Sequence, residues 1–334
     1  MVSQAGPHEL MKTILQGAAP PRPLFLPIVF SHAARIENLP LRAFLTNPTK
    51  ITQALRQMRG HLRSDGLTCY FDPYLEMEAL GAELDWGSGE SRVFRWPRHR
   101  ISGDLPIDAG ALEDLASKGR IPVAVEVIRR LKSMVRDDVL LAAGVSGPLR
   151  LAAQLAQSGQ GDSLEKEIST GALELAAEAT AAVAKAFVEA GANVVIISED
   201  LPASFPGDAT VASLLATTVN IIRFYQSLPV LVLNPSARPA EFGSEDPLDC
   251  AVCPVASDAQ RGIEEVFREP APTTLGVAVP ASVISEGQVA IEKFAQEFRR
   301  ANPAFQPVVI TTSGDVSDTS DLKNLNRLRD LLLA

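Results

Sequence analysis

The chain has 334 residues, of which 46% are hydrophobic and 21% charged, and a formal net charge of −9. That composition is globular and excludes disorder, collagen and coiled coil as the main state. Acidic residues outnumber basic ones 40 to 31, so no broad basic face for nucleic acid is expected, because phosphate binding needs clustered positive charge.

From the start of the chain, residues 1–20 read as an N-terminal extension. Met1 to Lys12 carries Pro7, His8 and Glu9 and lacks the apolar core of a signal peptide. No apolar stretch reaches the ~18 residues of a membrane span, so a cytoplasmic protein without membrane contact is expected. Eight short apolar runs follow: Leu24–Phe30, Leu67–Phe71, Val139–Ala143, Asn193–Ile197, Pro229–Leu233, Cys250–Pro254, Thr274–Ala278 and Pro307–Thr311. Near-continuous apolar runs of this length suit a parallel sheet buried on both faces.

Helical stretches separate them. Asn47 and Pro48 read as an N-cap with proline at the first helical position, ahead of a stripe of Ile51, Leu55, Met58 and Leu62. Leu173, Ala177, Thr180, Ala184 and Phe187 share a second face, with Gly191 as its stop. Leu322, Leu325, Leu328 and Leu332 form a third stripe behind Asp321. Strands alternating with helices predict an α/β protein, a (β/α)8 TIM barrel forming one domain over residues 1–334. The alternative, a doubly wound sheet, normally carries a glycine-rich turn after its first strand. Here that turn is Ser31-His32-Ala33-Ala34-Arg35.

A long excursion, residues 73–119, is expected over the barrel mouth. Within it Arg92-Val93-Phe94-Arg95-Trp96-Pro97-Arg98-His99-Arg100 reads as a solvated face, or as a lid for an anionic group.

Ligand sites of such barrels lie at the C-terminal ends of the strands. The candidates there are Ser31, His32 and Arg35 after the first run, Asp72 after the second, Ser146 after the third, and Glu199 with Asp200 after the fourth. Asn234 and Ser236 follow the fifth, and Ser313 and Asp315 the eighth. Asp72 and Glu199 are the candidate acids or bases if burial raises a pKa; the plainer alternative is capping or ion pairing. Cys250-Ala251-Val252-Cys253 reads as a buried strand, since a zinc site needs two further ligands. Three cysteines are too few for a disulfide framework. Ser158–Asp162 lacks the lysine of a phosphate-binding loop, and no G-x-S-x-G supports a serine hydrolase.

Four segments together resemble the uroporphyrinogen decarboxylase superfamily, which includes cobalamin-dependent methyltransferases acting on coenzyme M. They are Phe71-Asp72-Pro73 through Ala79-Leu80-Gly81, Ser31–Arg35, Val145-Ser146-Gly147-Pro148 through Ala152, and Glu189-Ala190-Gly191-Ala192-Asn193. The resemblance implies the barrel and carries over Arg35 and Asp72. It also marks departures. Where the methyltransferase branch has the zinc ligands H-x-C and a late cysteine, this chain has Asn234, Ser236 and Gly314, so no metal is expected. Of the two arginines of the decarboxylase motif, only Arg35 remains.

Three readings follow. The first is an enzyme for zinc-independent methyl transfer or demethylation linked to a corrinoid, with Asp72 or Glu199 protonating or positioning a leaving oxygen or nitrogen. The second is a decarboxylase (a lyase) of a porphyrinogen or other tetrapyrrole, with Arg35 pairing a carboxylate and Asp72 accepting from pyrrole N–H groups. The third is a non-catalytic ligand-binding barrel. His32, Ser146, Asn234, Ser236 and Asp315 join Arg35 as ligand-binding candidates. No tightly bound cofactor is expected, with cobalamin as methyl donor or acceptor; a corrinoid protein and a second copy of the chain are the compatible protein partners.

Overall fold

The computed structural model describes residues 5–86, 93–95, 110–135, 138–157, 168–200, 208–233, 249–255, 275–301 and 306–333. Eight parallel strands carry the architecture, each at one of the apolar runs. Five of them, β2 (Gly66–Tyr70), β5 (Leu140–Ser146), β6 (Val194–Glu199), β7 (Leu228–Leu233) and β8 (Ala251–Pro254), form one sheet in that order. The other three, β1 (Leu24–Leu26), β10 (Val309–Thr312) and β9 (Val277–Val279), form a second. All neighbours pair in parallel. The eight strands thus form two sheets rather than the single continuous ladder expected.

Both seams are nonetheless bonded. Val252↔Leu275 and Val255↔Ala278 bridge β8 to β9. At the other seam Asp65 N donates to Phe25 O at 2.9 Å, and the Asp65 carboxylate accepts from Phe25 N at 2.9 Å. Proline explains why no regular ladder forms there. Pro23 and Pro27 flank β1, and proline has no N–H to give. The expected strand Leu24–Phe30 is therefore only three residues long. Arg22 clasps the same carboxylate from outside, with Nη1 and Nη2 at 2.6 and 2.8 Å.

Alternation along the strands sorts the core. Leu24, Leu26, Leu140, Ala142, Val194, Ile196, Leu228, Val230 and Ala251 pack into one inner cluster, so the two sheets face a common apolar core. Helix α1 (Pro7–Leu15) adds Leu10, Met11 and Ile14 to it, and Leu15 O accepts from Arg223, just before β7. The expected N-terminal extension therefore contains a helix that seals the N-terminal ends of the strands. The opposite phase, with Leu67, Leu141, Val195, Ile197 and Leu231, packs outward on the helices.

The helices follow the sequence signals. In α4 (Pro48–Arg59) Asn47 Oδ1 accepts from Lys50 N at 3.1 Å, and Ile51, Leu55 and Met58 are buried. Helix α8 (Thr170–Ala190) is capped by Ser169 and ends at Gly191 with φ 107°. Its buried face centres on Ala172, Ala176, Ala179 and Val183, so Leu173 and Ala177 are only partly buried. Helix α12 (Leu322–Leu333) buries Leu325 and Leu328. Within the excursion lie α5 (Leu75–Ala79) and an antiparallel pair unforeseen in the sequence, β3 (Glu83–Asp85) with β4 (Val93–Arg95). Arg92 and residues 96–100, most of the basic segment, lie outside the described residues.

Candidate functional site

The C-terminal ends of the parallel strands carry several buried acids, one of which, Asp72, pairs with a buried arginine. After β2 the chain turns at Asp72, whose Oδ1 accepts from Tyr74 N at 3.0 Å and starts α5. The other carboxylate oxygen pairs with Nη1 of Arg120. Arg120 precedes α6 (Ile121–Met134). Gly119 brings it there with φ +54°, and its backbone runs so close to Ala79 that a Cβ would sit 3.1 Å from that residue's nitrogen. Arg120 Nε donates to Glu78 Oε2 at 2.6 Å, and Nη1 also reaches the Tyr70 hydroxyl at 3.3 Å. The guanidinium lies 5.2 Å from the Trp86 ring centre and is only 4% exposed. Its Nη2 is buried with no hydrogen-bond partner.

Two fully buried glutamates grip the turn after β5 from opposite sides. Glu76 of α5 accepts from Ser146 N at 3.0 Å and from Ser146 Oγ at 3.1 Å. Glu199, the last residue of β6, accepts from Leu149 N at 3.2 Å and Arg150 N at 2.7 Å. It thereby caps α7 (Pro148–Gln157), where the orphan amides of a helix start favour a carboxylate. Gly147 leaves room for it, because a Cβ there would overlap the Glu199 carboxylate. Burial pushes the Glu76 carboxyl up to about 7 and the Glu199 carboxyl up to about 8 against the opposing pull of these hydrogen bonds. Asp315 holds the turn that precedes α2 (His32–Ile36): its oxygens accept from Phe30 N at 2.7 Å and Ser31 N at 2.9 Å, and desolvation raises its pKa to about 6. The negative charge of Asp72 adds to the rise at both Glu76 and Asp315.

The predicted residues divide accordingly. Asp72 is buried at the strand ends, linked electrostatically to Asp315 and to the Glu76–Ser146 pair. Glu199 lies in the outward phase with Val195 and Ile197, and its oxygens serve backbone amides, which is the capping alternative. Arg35 is exposed and donates to Asp318 O at 3.0 Å. The nearby carboxylates pair elsewhere, Asp72 with Arg120 and Glu37 with Lys50 at 3.1 Å. His32 is half-buried with Nδ1 lacking a hydrogen-bond partner, and burial, then Arg35, lowers its pKa. Asn234 and Ser236 lie outside the described residues. Cys250 and Cys253 are buried free thiols whose pKa burial raises. Among the described residues no cluster of three His, Cys, Asp or Glu side chains is poised to hold a metal ion, and no helix is long and apolar enough to cross a membrane.

Sequence reasoning missed Arg120 and Glu76 as site residues. Glu76 stood inside the Phe71–Gly81 motif, four residues after Asp72. Arg120 followed a Lys-Gly step at the end of the excursion, and only the fold brings it back to Asp72.

Comparison with known proteins agrees with this frame. Residues 7–226 match the family model for uroporphyrinogen decarboxylase (URO-D), which is more than half of the chain. Two methylcobamide:CoM methyltransferases MtaA of Methanosarcina barkeri, one from strain Fusaro, are 32% and 31% identical over 129 residues. Those matches cover 36% of this chain and 36% of each relative, about a third of their length. A solved methyltransferase from Methanosarcina mazei is 19% identical with a TM-score of 0.71, covering 98% of both chains, and so shares the fold. The chain belongs to the uroporphyrinogen decarboxylase (URO-D) family.

Proposed function

We propose that this chain is a (β/α)8 barrel enzyme of the methyl-transfer side of its family, moving a methyl group to or from a corrinoid without zinc. The observation that carries the reading is Glu76: a buried carboxyl with a pKa of about 7, coupled to Asp72 at the strand ends. A group that exchanges its proton near neutrality can protonate a departing atom or deprotonate an acceptor. Glu76 takes the role first considered for Glu199, and Asp72, fixed by Arg120 and Tyr74 N, positions the reacting group. The MtaA relatives support the corrinoid link through what those proteins act on.

The residues at the rim fit a corrinoid. The Arg35 guanidinium is exposed, which suits the amide fringe of such a ring, His32 is proposed beside it as a second ligand-binding side chain, and Asp315 holds the turn that carries both. When bound, the group supplies or accepts the methyl at its cobalt. The zinc-independent part rests on chemistry: the amide, hydroxyl and glycine of Asn234, Ser236 and Gly314 are poor zinc ligands. Asn234 and Ser236 are proposed instead as hydrogen-bonding groups for the substrate, with Ser146 keeping Glu76 in place.

The test is anaerobic incubation of chelator-treated protein with methylcobalamin and candidate acceptors, and with reduced cobalamin and candidate methyl donors. The expected result is methyl exchange, reduced about 100-fold or more in Glu76→Gln. Conversion of uroporphyrinogen to coproporphyrinogen instead would replace this reading by the decarboxylase. No turnover of either would leave a binding protein.

A further inference from the structure

We propose that Nη2 of Arg120 is the subsite for an oxygen atom of the ligand, so that the ligand presents there an ether, hydroxyl or carbonyl oxygen rather than an ammonium nitrogen or a thioether sulfur. A guanidinium has five N–H groups in a rigid plane. In Arg120 three are used: Nε on Glu78 at 2.6 Å, and the two of Nη1 on Asp72 and on the Tyr70 hydroxyl at 3.3 Å. The remaining two are both on Nη2, which is buried and unpartnered. A buried donor left unmade is costly, and it is retained here on a side chain otherwise fixed on every edge. Such a group is set up for an incoming acceptor.

The chemistry of the acceptor follows from the surroundings. Nη2 offers only hydrogens, so an ammonium nitrogen, which has no lone pair, is excluded, and a thioether sulfur is a weak acceptor. Asp72 and Glu78 already outweigh the single positive charge of Arg120, which disfavours a full anion and leaves a neutral oxygen. Trp86, whose ring centre lies 5.2 Å from the guanidinium, is itself partly exposed and can report on the subsite. The inference rests on the methyl-transfer reading only for the ligand's methyl group; the oxygen preference is a binding property.

The experiment uses the full chain carrying Trp96→Phe, so that Trp86 is its remaining tryptophan, and follows its fluorescence. The probes are benzyl methyl ether, benzyl methyl sulfide and N-methylbenzylamine, which share one shape and differ in the heteroatom. The ether is expected to change Trp86 emission and to bind at least tenfold more tightly than the other two. Arg120→Lys is expected to weaken the ether tenfold or more and leave the sulfide unchanged. Equal binding of the three probes, no binding of the ether, or ether binding that survives Arg120→Lys in a folded variant overturns the proposal. If Arg120→Lys does not fold, the ranking of the three probes on the Trp96→Phe protein decides alone. Ether binding without methyl exchange in the cobalamin assay removes the methyl-transfer reading and leaves the subsite standing.

Discussion

The two ends of the parallel strands are built on opposite principles. At the N-terminal end, α1 lays Leu10, Met11 and Ile14 onto inward strand residues, and the Arg22–Asp65 clasp sits at the rim, where the arginine is still 29% exposed. At the C-terminal end, Asp72, Glu76, Glu199 and Arg120 are all buried. The first end buries apolar area, which stabilises without constraint on charge. The second buries charge, which is tolerated only where each group is paired or hydrogen-bonded. The fold thus has one apolar end and one end that carries buried ionisable groups.

Breaking the charged end should cost most. Arg120→Met strands Asp72 without its buried partner and is expected to lower unfolding free energy by about 3–5 kcal/mol in urea denaturation. Leu10→Ala, at the apolar end, opens a cavity under the strands and should cost about 2–4 kcal/mol, with no effect on ligand binding.

Acidity separates the ends more sharply. Glu76, Glu199 and Asp315 have folded pKa values of about 7, 8 and 6, above the ordinary ~4 of an unfolded carboxyl. The folded chain therefore holds protons that the unfolded chain has released. The stability these groups contribute is fully present below pH ~4 and is lost as pH rises through about 6 to 8. The urea midpoint is expected to fall between pH 5 and pH 8.5. Glu76→Gln should remove the part of that fall that begins near pH 4.5 and levels off at about pH 7, whereas Leu10→Ala should shift every point alike. The smallest effect is at Arg35. Its exposed guanidinium bonds only a backbone carbonyl, so Arg35→Lys should change stability by less than about 0.5 kcal/mol. A loss of ligand affinity beyond that, read by calorimetry, would mark the rim as part of the binding surface.

What was legible in the sequence was what repeats locally. The apolar runs located all eight parallel strands, and Asn47-Pro48 and Gly191 marked helix ends, because these signals act within a few residues. Strand lengths were less legible. Leu24–Phe30 stopped at Leu26 because of Pro27, while the third run continued to Ser146, whose side chain Glu76 holds. The site was half legible. Asp72 announced itself by following a strand, but its partner Arg120 is 48 positions away, and no spacing rule encodes that pairing. The side that Glu199 serves was not legible for a related reason: a carboxylate at a strand's end serves the interior or a neighbouring helix according to one step of register.

If the Glu76 carboxyl, with its pKa raised to about 7, acts on a methyl group as proposed, the pH dependence of methyl exchange between pH 5 and 9 is the most direct test. A limb with a midpoint near pH 7 is expected, and it disappears in Glu76→Gln while the folded structure and ligand binding persist. A profile without that limb, or one that Glu76→Gln leaves in place, would contradict the proposal.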